Sequence, residues 1–304
     1  MIAFLFPGQG VQYPGMMLDI AGRYSCSRAV FDAASDACGR NILSICAGKD
    51  ADKLDLTENT QPCLAASELA ALRALESHGV HADYYAGFSL GEWTATAATG
   101  MLSEADIFSI ISRRAVFMQE AVPLGEGGMG TALGCDADLV DELCKSVGGV
   151  WAASYSCPGQ TLISGRLAGI DAIAKLSTEK GFKFIKLPVS VPSHCPLMEP
   201  AAKRLDEKLN ACSLSRPARP LAMVADGLLC SEPEQIKQNL LIQLVRPMFF
   251  EKCVRTLLGA GVDTFIEIGP GKTLSGFINR IEPAALTLQV GDLPSLDATL
   301  KALS

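Results

Sequence analysis

The sequence is poor in histidine and has no closely spaced cysteine pair, and both deficits limit the kinds of site it can form. Its 304 residues include three histidines and 11 cysteines, and no two cysteines are arranged as Cys-x-x-Cys. Three histidines without ligand spacing argue against a zinc site. An odd number of scattered cysteines excludes complete pairing within the chain and favours free thiols in a reducing compartment. We therefore expect no bound metal or cofactor and a cytoplasmic location.

The sequence also lacks a long apolar run and an excess of positive charge. The longest stretch without a charged residue, Ser146–Gly165, contains four glycines and Pro158, which are not typical of a membrane-spanning helix. The apolar start, Met1–Phe6, has no basic leader and is followed by Pro7, which favours a first strand over a signal peptide. The net charge of −7 argues against nucleic acids and anionic membranes. We expect neither as a partner.

The sequence does contain a Gly-x-Ser-x-Gly motif, Gly87-Phe88-Ser89-Leu90-Gly91, after the apolar run Tyr84–Ala86. This order is typical of a strand, a strained turn that carries a serine, and a helix. Glycine on both sides avoids the side chains that would clash in such a turn. The backbone N–H of Leu90 would then face whatever Ser89 attacks. Taken alone, the motif is equally consistent with a structural glycine-rich turn.

Two other glycine-rich segments do not match nucleotide-binding loops. In Pro7–Gly15, four residues separate Gly10 from the next glycine, which departs from the dinucleotide fingerprint. Thr264–Ile268, predicted as the last strand, leads to Gly271-Lys272-Thr273. A phosphate loop requires glycine five residues before Gly271, where Ile266 stands, so we exclude an ATPase.

Helical spacing of apolar residues is found on both sides of the serine motif. Residues Ala21–Ala47 and Cys63–Ser77 are predicted as helical, with Thr57–Pro62 as a loop before the second helix.

A further helix is predicted to begin after Ser103, which starts a capping box, and to end at about Val122. It carries the adjacent Arg113 and Arg114. Neighbouring side chains on a helix point about 100° apart, so at most one of these arginines faces the interior. A buried arginine would need a carboxylate partner.

Alternating elements between residues 125 and 189 predict a separate small domain. The predicted elements are strand Gly127–Leu133, helix Ala137–Ser146, strands Gly149–Ser154 and Gln160–Ser164, helix Gly169–Lys180 and strand Phe182–Val189. This β-α-β-β-α-β order is that of a ferredoxin-like domain. We predict an α/β fold in which residues 125–189 are inserted into a larger, hydrolase-like domain, residues 1–124 and 190–304, with a mostly parallel sheet.

His194 lies between Pro192 and Pro196. The two prolines restrict the backbone around the histidine. A rigid loop can hold a general base in a fixed position. By itself, His194 is as consistent with a structural role as with a catalytic one.

Motifs spread over nearly the whole chain together resemble one family, the malonyl-CoA:acyl carrier protein transacylases and the related acyltransferase domains of polyketide synthases. The matching segments are Phe6-Pro7-Gly8-Gln9-Gly10, Thr60-Gln61-Pro62, Gly87–Glu92, Arg114 with Phe117–Pro123, Pro158-Gly159-Gln160, Val189–Cys195, Gln243 with Pro247, and Ile268–Lys272. The ordered set is far more specific than any one motif.

The resemblance implies a Ser-His pair without the acidic third member of a hydrolase triad. Ser89 would be the nucleophile and His194 the general base. The backbone carbonyl of Gln243 would orient the imidazole. The backbone N–H groups of Gln9 and Leu90 would form the oxyanion hole.

The resemblance also implies a pocket for the acyl group. Arg114 would bind the free carboxylate of a malonyl group with its planar fork of donors, and Gln61 and Ser193 would line the pocket. The residue before the serine is usually histidine in this family, whereas Phe88 stands here. Because Phe88 cannot make the hydrogen bonds of a histidine, it bears on the acyl preference.

These roles imply an enzyme that moves malonyl from its substrate, malonyl-CoA, to the phosphopantetheine thiol of an acyl carrier protein through an acyl-serine, in fatty acid or polyketide synthesis. We expect a monomer that docks the acidic carrier protein on a local basic patch, for which Lys183, Lys186 and Lys203 are candidates.

Alternatives within the family are a discrete polyketide-synthase acyltransferase and the malonyl-transfer subunit of a malonate decarboxylase. More distant ones are a serine esterase and a non-catalytic carrier-binding module. An esterase would place its histidine near the C-terminus, whereas about a third of this chain follows His194.

Overall fold

The strands of the chain form two separate sheets in a computed structural model that describes residues 1–48 and 54–304. The strands are β1 (Ile2–Phe6), β2 (Tyr84–Gly87), β3 (Gly127–Leu133), β4 (Val150–Cys157), β5 (Gln160–Arg166), β6 (Lys183–Lys186), β7 (Leu221–Met223), β8 (Leu228–Cys230), β9 (Thr264–Ile268) and β10 (Leu286–Val290). The helices are α1 (Leu18–Arg23), α2 (Ser25–Cys38), α3 (Ile42–Cys46), α4 (Thr57–Glu76), α5 (Leu90–Ala98), α6 (Glu104–Ala121), α7 (Ala137–Val147), α8 (Leu167–Lys180), α9 (Glu199–Leu209), α10 (Pro233–Val245), α11 (Phe250–Gly259), α12 (Thr273–Ile281) and α13 (Leu293–Leu303).

The larger sheet has the order β10-β9-β1-β2-β7-β8, and all its pairings are parallel except that of β7 with β8. Ala3–Phe6 of the central strand β1 are fully buried, which explains their continuous apolar sequence, since a central parallel strand is covered on both faces. In the pairing of β1 with β2, Phe6 aligns with Gly87. The loops after β1 and β2 therefore begin side by side at one edge of the sheet.

The smaller sheet has the order β4-β5-β3-β6, and every pairing is antiparallel. Its core packs side chains from the sheet against side chains of α7 and α8, among them Ile163, Val140 and Ile173. The two sheets and the β-α-β-β-α-β order confirm the predicted fold class. The domain boundaries at residues 125 and 189 stay a prediction.

The helices before the serine motif differ from their predictions. Thr57–Pro62, predicted as a loop, forms the start of α4. Proline has no N–H to donate to the carbonyl of Glu58, four residues earlier. The Arg40 guanidinium donates to that carbonyl instead, at 2.8 Å from Nη2, so the helix contains Pro62 without a missing partner there.

The predicted helical stretch Ala21–Ala47 is divided among α1, α2 and α3. Tyr24 has extended backbone between α1 and α2, and Gly39 ends α2 in the left-handed conformation with φ 65°. These two backbone turns separate segments that have the same helical periodicity.

The prediction that Thr264–Ile268 is the last strand is wrong, because β10 follows it and pairs with it in parallel at the sheet edge. Leu286 of β10 is 45% exposed, and most of the strand is only partly buried, so its sequence lacks the pattern of a buried strand.

In the described part of the chain, every helix is too short or too polar to cross a lipid bilayer.

Candidate active site

Ser89 lies in a strained turn between β2 and α5, with φ 56° and ψ −108°. The flanking glycines are required by close backbone contacts. A Cβ atom on Gly87 would lie 2.1 Å from the backbone of Gly91, and one on Gly91 would lie 2.0 Å from the carbonyl oxygen of Phe6. The turn therefore packs directly against the end of β1. Its position between a strand and a helix agrees with the strained turn predicted from the motif.

A chain of hydrogen bonds connects Ser89, His194 and Gln243. Ser89 Oγ is 2.8 Å from His194 Nε2, and His194 Nδ1 is 2.6 Å from the backbone carbonyl oxygen of Gln243. A carbonyl oxygen only accepts hydrogen bonds, so this contact assigns the ring proton to Nδ1. Nε2 is then free to accept the proton of the serine hydroxyl, as a general base requires.

The loop that carries His194 holds it in an uncommon backbone conformation, with φ 63°. The Cys195 thiol donates to the carbonyl of Pro192 at 3.1 Å and closes the loop behind the histidine. His194 is buried, which lowers its pKa to about 4; the carbonyl of Gln243 opposes this shift and the charge of Arg114 adds to it. The imidazole is therefore neutral, and able to accept a proton, across the neutral pH range.

Arg114 is the inward-facing arginine of the predicted pair: it is fully buried, whereas Arg113 is exposed. Its Nη1 donates to Gln61 Oε1 at 2.7 Å, and its Nη2 lies 3.5 Å from Gln243 Oε1. The guanidinium also lies 5.7 Å from the ring centroid of Trp93.

No carboxylate of the described residues forms an ion pair with Arg114, contrary to the expectation of an acidic partner. Burial lowers the pKa of Arg114 to about 9, and the nearby Glu92 opposes the shift. A guanidinium has five N–H donors. Two face amide oxygens, and Nε has no hydrogen-bond partner in the described part of the chain. The site thus contains a buried cation with unused donors.

The predicted oxyanion donors flank the serine. Leu90 is the first residue of α5, so its backbone N–H has no carbonyl partner within the helix. Gln9 follows Gly8, whose Cβ position lies 3.5 Å from Ser89 Cβ. The Gln9 side chain accepts a hydrogen bond from Gln61 Nε2 at 3.0 Å. Gln61 therefore connects the loop after β1 to Arg114.

Ser89 opens into a cleft between the two sheets. Ser89, His194, Gln9, Phe88 and Ser193 line it together with apolar side chains from both sides, namely Met118, Met129, Leu162, Leu187, Val189 and Val191. An apolar cleft beside a serine is suited to an acyl chain. No cluster of three metal-ligating side chains occurs within residues 1–48 and 54–304.

Phe88, the residue that departs from the family pattern, forms part of an aromatic cluster. Its ring lies edge-on to Phe250, with centroids 5.5 Å apart, and 5.9 Å from that of Phe277. The side chain before Ser89 is therefore held by apolar packing rather than by hydrogen bonds.

Glu92 is a buried residue of the site whose role was not predicted from the sequence. This side chain is fully buried and accepts hydrogen bonds from Gln243 Nε2 and from the backbone N–H of Val224, both at 2.6 Å. A signal was present, because a single carboxylate stands in the alanine-rich helix α5, most of whose residues are buried.

Residues 3–281 match the acyl transferase domain family. The chain belongs to this family. A relative named malonyl CoA-acyl carrier protein transacylase, from Bacillus subtilis strain 168, is 38% identical over 307 residues, which cover 99% of this chain and 97% of the relative. The resemblance found in the motifs is thereby confirmed over the whole chain.

Solved structures agree with this assignment to the acyl transferases. The malonyl CoA-acyl carrier protein transacylase of Clostridium perfringens has a TM-score of 0.96 at 37% identity, with 99% of this chain and 96% of that one covered. A malonyl-transacylase solved in complex with a type II PKS acyl-carrier protein has a TM-score of 0.96 at 32% identity, with 99% of both chains covered.

Proposed function

We propose that this acyltransferase moves malonyl groups from malonyl-CoA to the phosphopantetheine thiol of an acyl carrier protein. The observation that carries the proposal is Arg114, a fully buried guanidinium whose partners in the described residues are amides. Gln243, which faces Arg114 with one end of its side-chain amide, donates from the other end to the carbonyl of Ser89 at 3.1 Å. The side chain of Gln243 thus connects the guanidinium to the backbone of Ser89, and a malonyl carboxylate is the group that the unused donors of Arg114 would bind.

The reaction has two half-reactions at Ser89. The serine Oγ attacks the thioester carbonyl of malonyl-CoA while His194 Nε2 takes the hydroxyl proton. The carbon–sulfur bond then breaks, and the coenzyme A thiolate leaves with that proton. The carrier-protein thiol attacks the malonyl-serine, gives its proton to His194, and receives the malonyl group as Ser89 recovers its proton. The enzyme is therefore of the ping-pong type.

The oxyanion of each tetrahedral intermediate would be bound by the N–H groups of Gln9 and Leu90. Each such donor typically contributes about 2.7–4 kcal/mol to stabilising the transition state. Gln61, Phe88 and Ser193 would contact the acyl group.

The partners would be a coenzyme A thioester, which is a substrate and not a bound cofactor, and an acyl carrier protein. We propose a cytoplasmic monomer composed of the larger domain, residues 1–124 and 190–304, and the small domain, residues 125–189. Lys183 and Lys186 lie on the edge strand β6, where Lys186 pairs with Asp171, and Lys203 is exposed on α9. Lys183 and Lys203, which form no ion pair with another described residue, would offer positive charge to an acidic carrier protein.

A polyketide role is retained as the second candidate. It is favoured by the similarity to a transacylase solved with a type II PKS acyl-carrier protein. An esterase is disfavoured, because the position of the triad acid at His194 Nδ1 is taken by a backbone carbonyl.

The test is intact-mass measurement after mixing the protein with malonyl-CoA, followed by peptide mapping. We expect a malonyl adduct on Ser89, its absence in Ser89→Ala, and its retention in Ser146→Ala, a serine of α7 outside the cleft. Holo acyl carrier protein should remove the adduct far faster than water does. No adduct on Ser89 would disprove the acyl-enzyme, and equal removal by water would indicate a hydrolase.

A further inference from the structure

Glu92 contacts Gln243 and does not line the cleft. Its Oε1 accepts the backbone N–H of Val224 and its Oε2 accepts Gln243 Nε2. Both partner atoms are donors only, so both carboxylate oxygens act as acceptors. Burial raises the pKa of Glu92 to about 8, while these two hydrogen bonds and the charge of Arg114 favour the ionised form.

The side-chain amide of Gln243 has three neighbours that together permit one orientation. Its Nε2 donates to Glu92 Oε2 and to the carbonyl of Ser89, and its Oε1 faces Arg114 Nη2. In the reversed orientation, Oε1 would face two acceptors and the NH2 group would face the donors of the guanidinium. The carboxyl group of Glu92 therefore acts together with the Ser89 carbonyl to direct the oxygen of the amide toward Arg114.

We propose that Glu92 is a positioning residue for acyl selectivity: by fixing the amide of Gln243, it sets the guanidinium of Arg114 where it can pair with the carboxylate of the acyl group. The arrangement places a carboxyl group near Arg114 without a direct ion pair. A direct pair would occupy the donors that the acyl carboxylate needs. This proposal rests on the proposed malonyl transfer.

The test is Glu92→Gln, which keeps the size of the side chain and replaces one of its acceptor oxygens by an NH2 group. The new amide can still accept from Val224 N–H, but its NH2 group then opposes the NH2 group of Gln243. Acylation of Ser89 by malonyl-CoA should lose about tenfold or more in kcat/KM, whereas acylation by acetyl-CoA, which has no carboxylate, should change much less. A purely structural role would reduce both reactions equally.

A double-mutant cycle with Arg114→Ala separates action through Arg114 from any other effect. If Glu92 acts through the guanidinium, Glu92→Gln should leave the malonyl-to-acetyl ratio unchanged once Arg114 has been removed. An equal fall of the ratio in both backgrounds would overturn the proposal.

Gln243→Leu keeps the test available if Glu92→Gln does not fold, since it removes the amide while the backbone carbonyl that contacts His194 remains. It should reproduce the selective loss of malonyl transfer, and unchanged selectivity would overturn the proposal. Failure of the wild-type protein to form malonyl-Ser89 would instead contradict the proposed function. The two failures are therefore distinguishable.

Discussion

Replacing Arg114 with alanine should separate malonyl from acetyl transfer. Three of the five guanidinium N–H groups have no partner in the described residues, because one N–H on Nη1 and one on Nη2 face Gln61 and Gln243. Two of the three can form parallel bonds to a carboxylate. At about 1.5–3 kcal/mol for each charged hydrogen bond, their loss predicts a fall of roughly 100-fold to 10,000-fold in kcat/KM for malonyl-CoA.

Acetyl-CoA offers no carboxylate, so its acylation of Ser89 should fall by much less than that of malonyl-CoA. Arg114→Met is the matched variant: it fills most of the same buried volume and removes the charge, so it separates lost pairing from lost packing. Arg113→Ala, on the exposed side of the same helix, is the control and should leave both rates unchanged.

The measurement is single-turnover acylation followed by intact mass, with malonyl-CoA and acetyl-CoA at matched concentrations. Thermal unfolding of each variant accompanies it, because a cavity at a fully buried position also destabilises the fold. Equal losses for the two acyl groups in both Arg114 variants would refute the assignment of Arg114 to the malonyl carboxylate.

Three further perturbations test the site and its support. Burial lowers the pKa of His194 to about 4, so kcat/KM for acylation should stay level from neutral pH to about pH 5 and fall below about pH 4; a decline already centred near pH 6.5 would contradict this. Glu68 is fully buried, and burial raises its pKa well above the ordinary value. Protonated Glu68 therefore contributes to the free energy of unfolding at low pH. This contribution should be lost as the pH rises from about 4.5, the pKa of Glu68 in the unfolded chain, through its higher pKa in the folded protein. Glu68→Gln should thus gain stability relative to wild type across that window in denaturant titrations, and a constant difference would disprove it. In Gly91→Ala the new Cβ would lie 2.0 Å from the Phe6 carbonyl oxygen, so both stability and acylation should fall, whereas Gly276→Ala, with nothing within 4 Å, should be neutral or stabilising by up to about 1 kcal/mol.

The parts of the site that could be predicted from sequence depend on local chemistry. The turn at Ser89 needs glycine on both sides whatever else surrounds it, and the prolines around His194 restrict its loop in the same way. Capping at Ser103 was likewise predictable, since its side chain accepts from Asp106 N–H three residues later. Such features require only neighbouring residues.

The parts that could not be predicted depend on contacts between distant segments. The role of Glu92 arises only where α5, α10 and the end of β7 meet. The helical state of Pro62 depends on the Arg40 guanidinium, which replaces a missing donor. Arg114 was expected to need a carboxylate, and its amide partners follow from tertiary packing that periodicity does not encode.

The pairing of β1 has a consequence for how the protein is made. Ala3 aligns with Tyr84 on one side and with Phe265 on the other. During synthesis, one edge of β1 should therefore stay unpaired until β9 has left the ribosome. Unpaired strand edges promote aggregation. Ser89, Arg114, His194 and Gln243 all precede β9 in the chain. A nascent chain should thus contain these four residues before its central sheet can close, and acylation activity should appear abruptly when β9 emerges.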